Sequence, residues 1–121
     1  MALISASFGL LLSCGRASLY VAGINFLLEK LPTAEIMNLN NFDFSGYDYE
    51  HKNIGDDYIP LMRKVVEHEI IVLATPIYWY SVSTIMKIFI DRVTDLITIE
   101  KDLGRKLRGK KLFVIASYNT S

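Results

Sequence analysis

The sequence predicts an α/β domain in which a parallel sheet of about four strands is covered by helices on both faces. Three observations predict it. Short apolar runs alternate with longer segments of helical periodicity, in the order β-α-β-α-β-α-β. One of those runs, EIIVLAT at 69–75, is apolar almost throughout, as suits a central strand buried on both faces. And 121 residues, 51% of them hydrophobic, suffice for one core, so residues 1–121 read as a single domain.

The first strand is expected at 2–6, ALISA, a short apolar run ending in small residues. Residues 16–31, RASLYVAGINFLLEKL, have helical length and stop before Pro32. AEIMNL at 34–39 is the second strand, and NNFDFSGYDYEHKNIG at 40–55 is a loop by its Asn, Asp and Gly content. Asp56 and Asp57 stand where a helix cap belongs, and Ile59, Leu61, Met62, Val65 and Val66 give the next helix its apolar face. Pro60 is tolerated in that helix's first turn. The third strand, 69–75, is expected to end where Pro76 turns the chain sharply away. Helical spacing resumes after Ser83, with Met86, Phe89, Ile90, Val93, Leu96 and Ile97 on one stripe. A charged loop follows, and KLFVIAS at 111–117 is the fourth strand.

Charge narrows the function classes. Lys and Arg number 13 and Asp and Glu 13, so the net charge is zero and no electrostatic case exists for nucleic acid or an anionic membrane. The basic run Arg105, Lys106, Arg108, Lys110 and Lys111 reads as a solvated loop. Cys14 is the only cysteine, which excludes an intrachain disulfide and suggests a reducing, cytoplasmic setting. His51 and His68 lack ligand-like spacing for zinc. The start, MALISASFGLLLSCG, has the apolar stretch of a signal peptide, but no Lys or Arg precedes Arg16, so export is not expected. No apolar run is long enough to suggest a membrane span.

In a doubly wound sheet, ligands bind beyond the carboxyl ends of the strands. Three segments are expected there: 7–15, 75–83 and 117–121. The first, with hydroxyls at Ser5, Ser7, Ser13 and Ser18 and a charge at Arg16, reads either as an anion site at a helix N-terminus or as a hydrophobic turn. The second, PIYWYSVS at 76–83, sets Tyr78, Trp79 and Tyr80 in a row. It reads either as an interface or folded-back cluster, or as a platform for a flat aromatic ligand. Lys87, Asp91 and Arg92 read as structural ion pairs, and Cys14 as a filler.

The block ATPIYWYSVSTIMKIFIDR at 74–92 resembles the second flavin loop of the NAD(P)H-dependent FMN reductases, through Thr75, Pro76, Tyr78, Trp79, Lys87, Phe89, Asp91 and Arg92. ISAS at 4–7 and LRGKKLFVIAS at 107–117 are similar to that family's first and fourth strands. The resemblance implies a flavodoxin-like three-layer fold with strand order 2-1-3-4. The family's fifth strand and last helix would lie past residue 121. It also implies FMN as cofactor, with Ser7 and Ser13 at its phosphate. Pro76, Ile77, Tyr78, Trp79, Tyr80 and Ser81 would line its ring, and Ser117, Tyr118 and Asn119 would begin a third loop. The implied activity is oxidation of NADPH or NADH and reduction of a small-molecule acceptor such as free flavin or a quinone, with no side-chain catalyst required. The family carries a basic residue soon after the Ser7 position; here Gly9, Leu10, Leu11 and Leu12 fill that stretch. An electron carrier or an interaction module without flavin is the competing reading. The first helix is apolar nearly all round, and Ile85 and Ile88 lie off the main stripe, so a homodimer or larger homo-oligomer is expected.

Overall fold

The structure is a computed structural model and describes residues 9–13, 29 and 35–117. Its first strand, β1 (Gly9–Ser13), is the triple-leucine run that the sequence reading assigned to a loop. A continuous apolar run suits a parallel strand with neighbours on both sides. β1 has them, pairing in parallel with β2 (Glu35–Asn38) and with β3 (Ile70–Tyr78). The strand expected at 2–6 lies outside the described residues. So does the helix expected at 16–31, apart from Glu29, which is helical and exposed.

β3 also pairs in parallel with β5 (Lys111–Ser117). A fifth, two-residue strand, β4 (Ser81–Val82), folds back antiparallel on the end of β3. The sheet is therefore mixed, not purely parallel. β3 runs three residues beyond its expected end, straight through Pro76. Proline fits extended backbone and lacks only a donor, so it is tolerated where the ladder asks none of it.

The register sets Met37, Leu12, Leu73 and Val114 in one row across the sheet. Met37, Leu12 and Leu73 join Ile71 in a core closed by four helices: α1 (Tyr58–Val65), α2 (Thr84–Asp91), α3 (Thr94–Thr98) and α4 (Lys101–Arg105). Tyr58, Ile59, Leu61, Met62 and Val65 of α1, Met86 and Phe89 of α2, Leu96 of α3 and Leu103 of α4 supply that side of the core. Ile70, Val72 and Ala74, alternating with these on β3, are buried too. Burial ends at β5, where Leu112, Phe113 and Val114 stand 61%, 54% and 60% exposed.

The single helix expected over 84–98 breaks. After Asp91 the chain tightens, with Val93 N donating to Ile90 O at 3.1 Å and Asp95 N to Arg92 O at 2.9 Å, before α3 begins. Ile90 and Ile97, placed on the apolar stripe by periodicity, are consequently 42% and 68% exposed. The cause lies in Arg92, which is fully buried. Its Nε donates to Asp95 Oδ2 at 2.8 Å, its Nη1 to Asp56 Oδ2 at 2.7 Å and to Ser45 O at 2.8 Å, and its Nη2 to Asp56 Oδ1 at 3.1 Å. The guanidinium also lies 4.7 Å from the centre of the Tyr58 ring. Asp95 in turn meets His51 Nδ1 at 3.1 Å. A cation taken out of water needs such partners, and the chain turns to supply them. The structural ion pairing expected of Arg92 is present, as is Lys87–Asp91 at 2.6 Å on the surface. Burial opposes ionisation of Asp56, but hydrogen bonds from Arg92 and from the amides of Tyr58 and Ser45 outweigh it, and its carboxyl stays below the usual range.

Two measurements test this packing. The expected loop after α3 instead contains α4, where a Cβ on Gly104 would lie 2.2 Å from Leu96 O. Gly104→Ala should cost about 1–3 kcal/mol in urea unfolding, because backbone must move. Asp56 has a folded pKa below its unfolded value of about 4, so its contribution is complete above that pH and drains away as pH falls through the folded value. Asp56→Ala should therefore lose about 3 kcal/mol at neutral pH and show a flatter decline of stability with acid, read from urea midpoints across the acid range.

Candidate functional site

Where the strands end decides what can gather at the sheet's carboxyl edge. Ser13, the last residue of β1, is level with Ala74; Ser117, the last of β5, is level with Pro76. Among the described residues β3 reaches furthest, through Ile77 and Tyr78, then reverses through Trp79 and Tyr80 into β4. The pairs Ile77↔Val82 and Tyr78↔Ser81 make a hairpin with a two-residue turn. Ser13, the hairpin and Ser117 thus share one edge.

The turn is unusual in its residues. Trp79 has φ 50° and Tyr80 φ 65°. Two positive φ values in a two-residue turn are the type I′ pattern, which matches the twist of the strands and normally selects Asn-Gly. Bulky L-residues resist that region by about 1–2 kcal/mol each. Here they are also 93% and 100% exposed, beside Tyr78 at 58%. The turn therefore holds large rings in water at a conformational cost, an arrangement that packing and folding do not require. The ladder closes at Tyr78 and Ser81, so the amides of the two central residues lie beyond it.

The base of the hairpin is tied from inside. Thr75, 1% exposed, donates its hydroxyl to Pro76 O at 2.8 Å and accepts from Ser83 N at 3.0 Å. Ser83 caps α2, its Oγ accepting from Met86 N at 3.3 Å. The same residue thus ends the hairpin and starts the helix.

Of the residues expected at the site, Pro76 is buried in β3, Ile77 is half-buried, and Tyr78, Trp79, Tyr80 and Ser81 are exposed on the hairpin. Ser13 and Ser117 are strand termini on the same edge. Ser5, Ser7, Arg16, Tyr118 and Asn119 lie outside the described residues. Gly9 to Leu12, expected in the loop after the first strand, are themselves strand; Ser5, Ser7 and the strand expected before them lie outside the described residues. Sequence reasoning also missed the hairpin, because a Trp-Tyr turn carries none of the glycine or asparagine that normally announces one. It missed the tie to Thr75, although Ser83 directly before an apolar helical period is a capping signal.

Comparison with known proteins adds the following. The sequence pattern of a family described by its flavodoxin-like fold matches residues 21–121. A Bacillus subtilis protein, YwqN, provisionally named an NAD(P)H-dependent FMN-containing oxidoreductase, is 30% identical over 91 residues, which is 74% of this chain and 48% of that one. The chain thus spans about half the length of that relative. Among solved structures, one described as a provisional quinone reductase from Klebsiella pneumoniae superposes with a TM-score of 0.64 at 18% identity, covering 93% of this chain and 60% of that one. The Trp repressor binding protein from Bacillus subtilis gives 0.65 at 22% identity, covering 93% and 64%.

The strain in the turn is measurable. Trp79→Asn with Tyr80→Gly should raise stability by about 1–2 kcal/mol, seen as a higher urea midpoint with unchanged slope, because the replacements suit positive φ. An unchanged or lower midpoint would mean that the rings hold the turn in place.

Proposed function

The chain belongs to the flavodoxin-like fold family, and from that premise we propose that it is an FMN-dependent oxidoreductase that uses NADPH or NADH to reduce a small-molecule acceptor such as free flavin or a quinone. The observation that carries the reading is the strained hairpin holding Trp79 and Tyr80 in solvent at the edge where β1, β3 and β5 end.

The residues present fit the ring half of FMN. Exposed aromatic faces match a planar tricycle by dispersion and area, and the turn amides would meet its carbonyl and nitrogen edge. In this proposal Pro76, Ile77, Tyr78, Trp79, Tyr80 and Ser81 form the ring wall. Ser13, at the end of β1, and Ser117, at the end of β5, flank it, with Tyr118 and Asn119 following. In the same proposal Ser5, Ser7, Ser13, Arg16 and nearby backbone amides would hold the phosphate half. When bound, FMN supplies the hydride chemistry: reducing equivalents arrive from NADPH or NADH and leave, in a ping-pong second half-cycle, to free flavin, a quinone or a similar acceptor. The protein's own part is binding and aim. The hairpin amides would offer hydrogen-bond donors to the ring edge, and fixed dipoles stabilise developing negative charge without reorganising. The aromatic side chains would shield one ring face from water and leave the other to the two substrates in turn.

No carboxylate, histidine or lysine is assigned to a proton step. Asp91 and Arg92, the acid–base pair nearest in sequence, are engaged in the pairs described above. A cytoplasmic homo-oligomer belongs to the same proposal, with its mass in solution as the deciding measurement.

Titration with FMN tests the reading. The flavin's visible bands should shift and its fluorescence should quench as it binds, and NADPH or NADH should then bleach the bound colour. Trp79→Asn with Tyr80→Gly should lower FMN affinity about tenfold or more, since stacking on an aromatic side chain contributes about 1–3 kcal/mol per base-sized ring. Absence of any binding by the full chain would remove the cofactor and leave the interaction-module reading. Binding without bleaching would leave a carrier.

A further inference from the structure

We propose that Thr75 is the positioning residue of the hairpin: its buried hydroxyl clasps the strand to the first turn of α2 and thereby fixes where the Trp79–Tyr80 turn points. The inference deepens the FMN reading and rests on it for the ligand, but the clasp itself is read from geometry.

A hairpin with two ladder pairs and a strained turn does not hold itself in water. Apolar burial holds only its base, where Val82 packs against the core; Tyr78, Trp79, Tyr80 and Ser81 are all exposed. What closes the segment is the bond from Ser83 N to Thr75 Oγ1, which spans eight residues and encloses every residue of the proposed ring wall. The hydroxyl's single proton is committed to Pro76 O, which orients its lone pair toward Ser83. Ser83 is itself anchored, because its side chain caps α2. The tie therefore runs from the most buried strand, through one hydroxyl, to the start of a helix.

Burial alone does not ask for threonine at this place. Valine has the same branched shape and suits a strand as well, and a hydroxyl in a dry site is costly unless both its capacities are used. Both are used, on the two peptide groups that bracket the hairpin. A clasp of this kind sets the direction of the turn amides without touching a ligand.

The experiment uses the full chain with Thr75→Val and Thr75→Ser, and Gly104→Ala as a destabilised control in α4, outside the hairpin. Trp79 is the only tryptophan, so its fluorescence reports the hairpin tip alone. In the absence of flavin, Thr75→Val should lower Trp79 anisotropy, whereas Thr75→Ser and Gly104→Ala should match the parent. With FMN, Thr75→Val should weaken binding roughly 5–10-fold, the loss of about one hydrogen bond's worth of organisation. Thr75→Ser should restore it to within about threefold on the same scale. Should Thr75→Val fail to fold, the parent decides: the Ser83 amide should exchange with deuterium as slowly as the amides inside α2. Fast exchange there would overturn the clasp, as would Thr75→Val matching the parent in anisotropy and affinity, or Gly104→Ala matching Thr75→Val. If the parent binds no FMN, the cofactor reading falls, while anisotropy and amide exchange still decide the clasp.

Discussion

β3 has neighbours on both edges and burial on both faces. From Ile70 to Ala74 it pairs with β1 on one side and β5 on the other, and Ile70 through Ala74 are all buried. A strand held in that way cannot shift register without turning its whole side-chain set over. It is the fixed axis from which the rest is placed. Among the described residues β1 reaches the level of Ala74 and β5 that of Pro76, and the last residues of β3 extend past both. The edge of the sheet then has to be finished by the chain's own reversal. The hairpin, the cap of α2 and the shared edge with Ser13 and Ser117 all descend from that one arrangement.

Much of this was legible in the sequence where burial writes a period. The third and fourth strands, the first helix after the long loop and the start of α2 at Ser83 follow from apolar runs, spacing and capping residues. The failures have physical causes. Leu10, Leu11 and Leu12 follow ALISA, where the doubly wound pattern predicts a loop, but apolar continuity is the stronger signal and belongs to a strand. Pro76 lacks a donor and so reads as a stop, yet that lack matters only where the ladder requires a donor. The stripe through Ile90 and Ile97 assumed an unbroken helix, and periodicity has no means of registering a buried cation that tightens the backbone between them. Of the candidate site, the aromatic triplet could be seen as exposed surface, but not that it sits on a turn with two positive φ values. That is a property of backbone geometry, and its residues actively disguise it.

Arg92 explains how a loop with little to bury becomes ordered. Residues 42–57 are rich in Asp, Asn and Gly, and few of them reach the core. Phe44 reaches the core and Phe42 and Ile54 pack against it; the polar remainder is tied electrostatically, Ser45 and Asp56 both receiving the guanidinium and His51 reaching Asp95. A desolvated cation is a poor source of net stability but an exacting one of geometry, since removing any partner leaves the charge uncompensated. The helix break after Asp91 is the concession α2 makes to that demand.

The far side of the sheet has a different consequence. β5 presents Leu112, Phe113 and Val114 to water, and among the described residues its backbone is paired only through β3. Exposed apolar margins of this sort recruit backbone from other molecules. Left uncovered in a tube, this polypeptide would be expected to precipitate in a dose-dependent way through strand addition, so its colloidal behaviour hinges on what shields those three side chains, not on the aromatic rim.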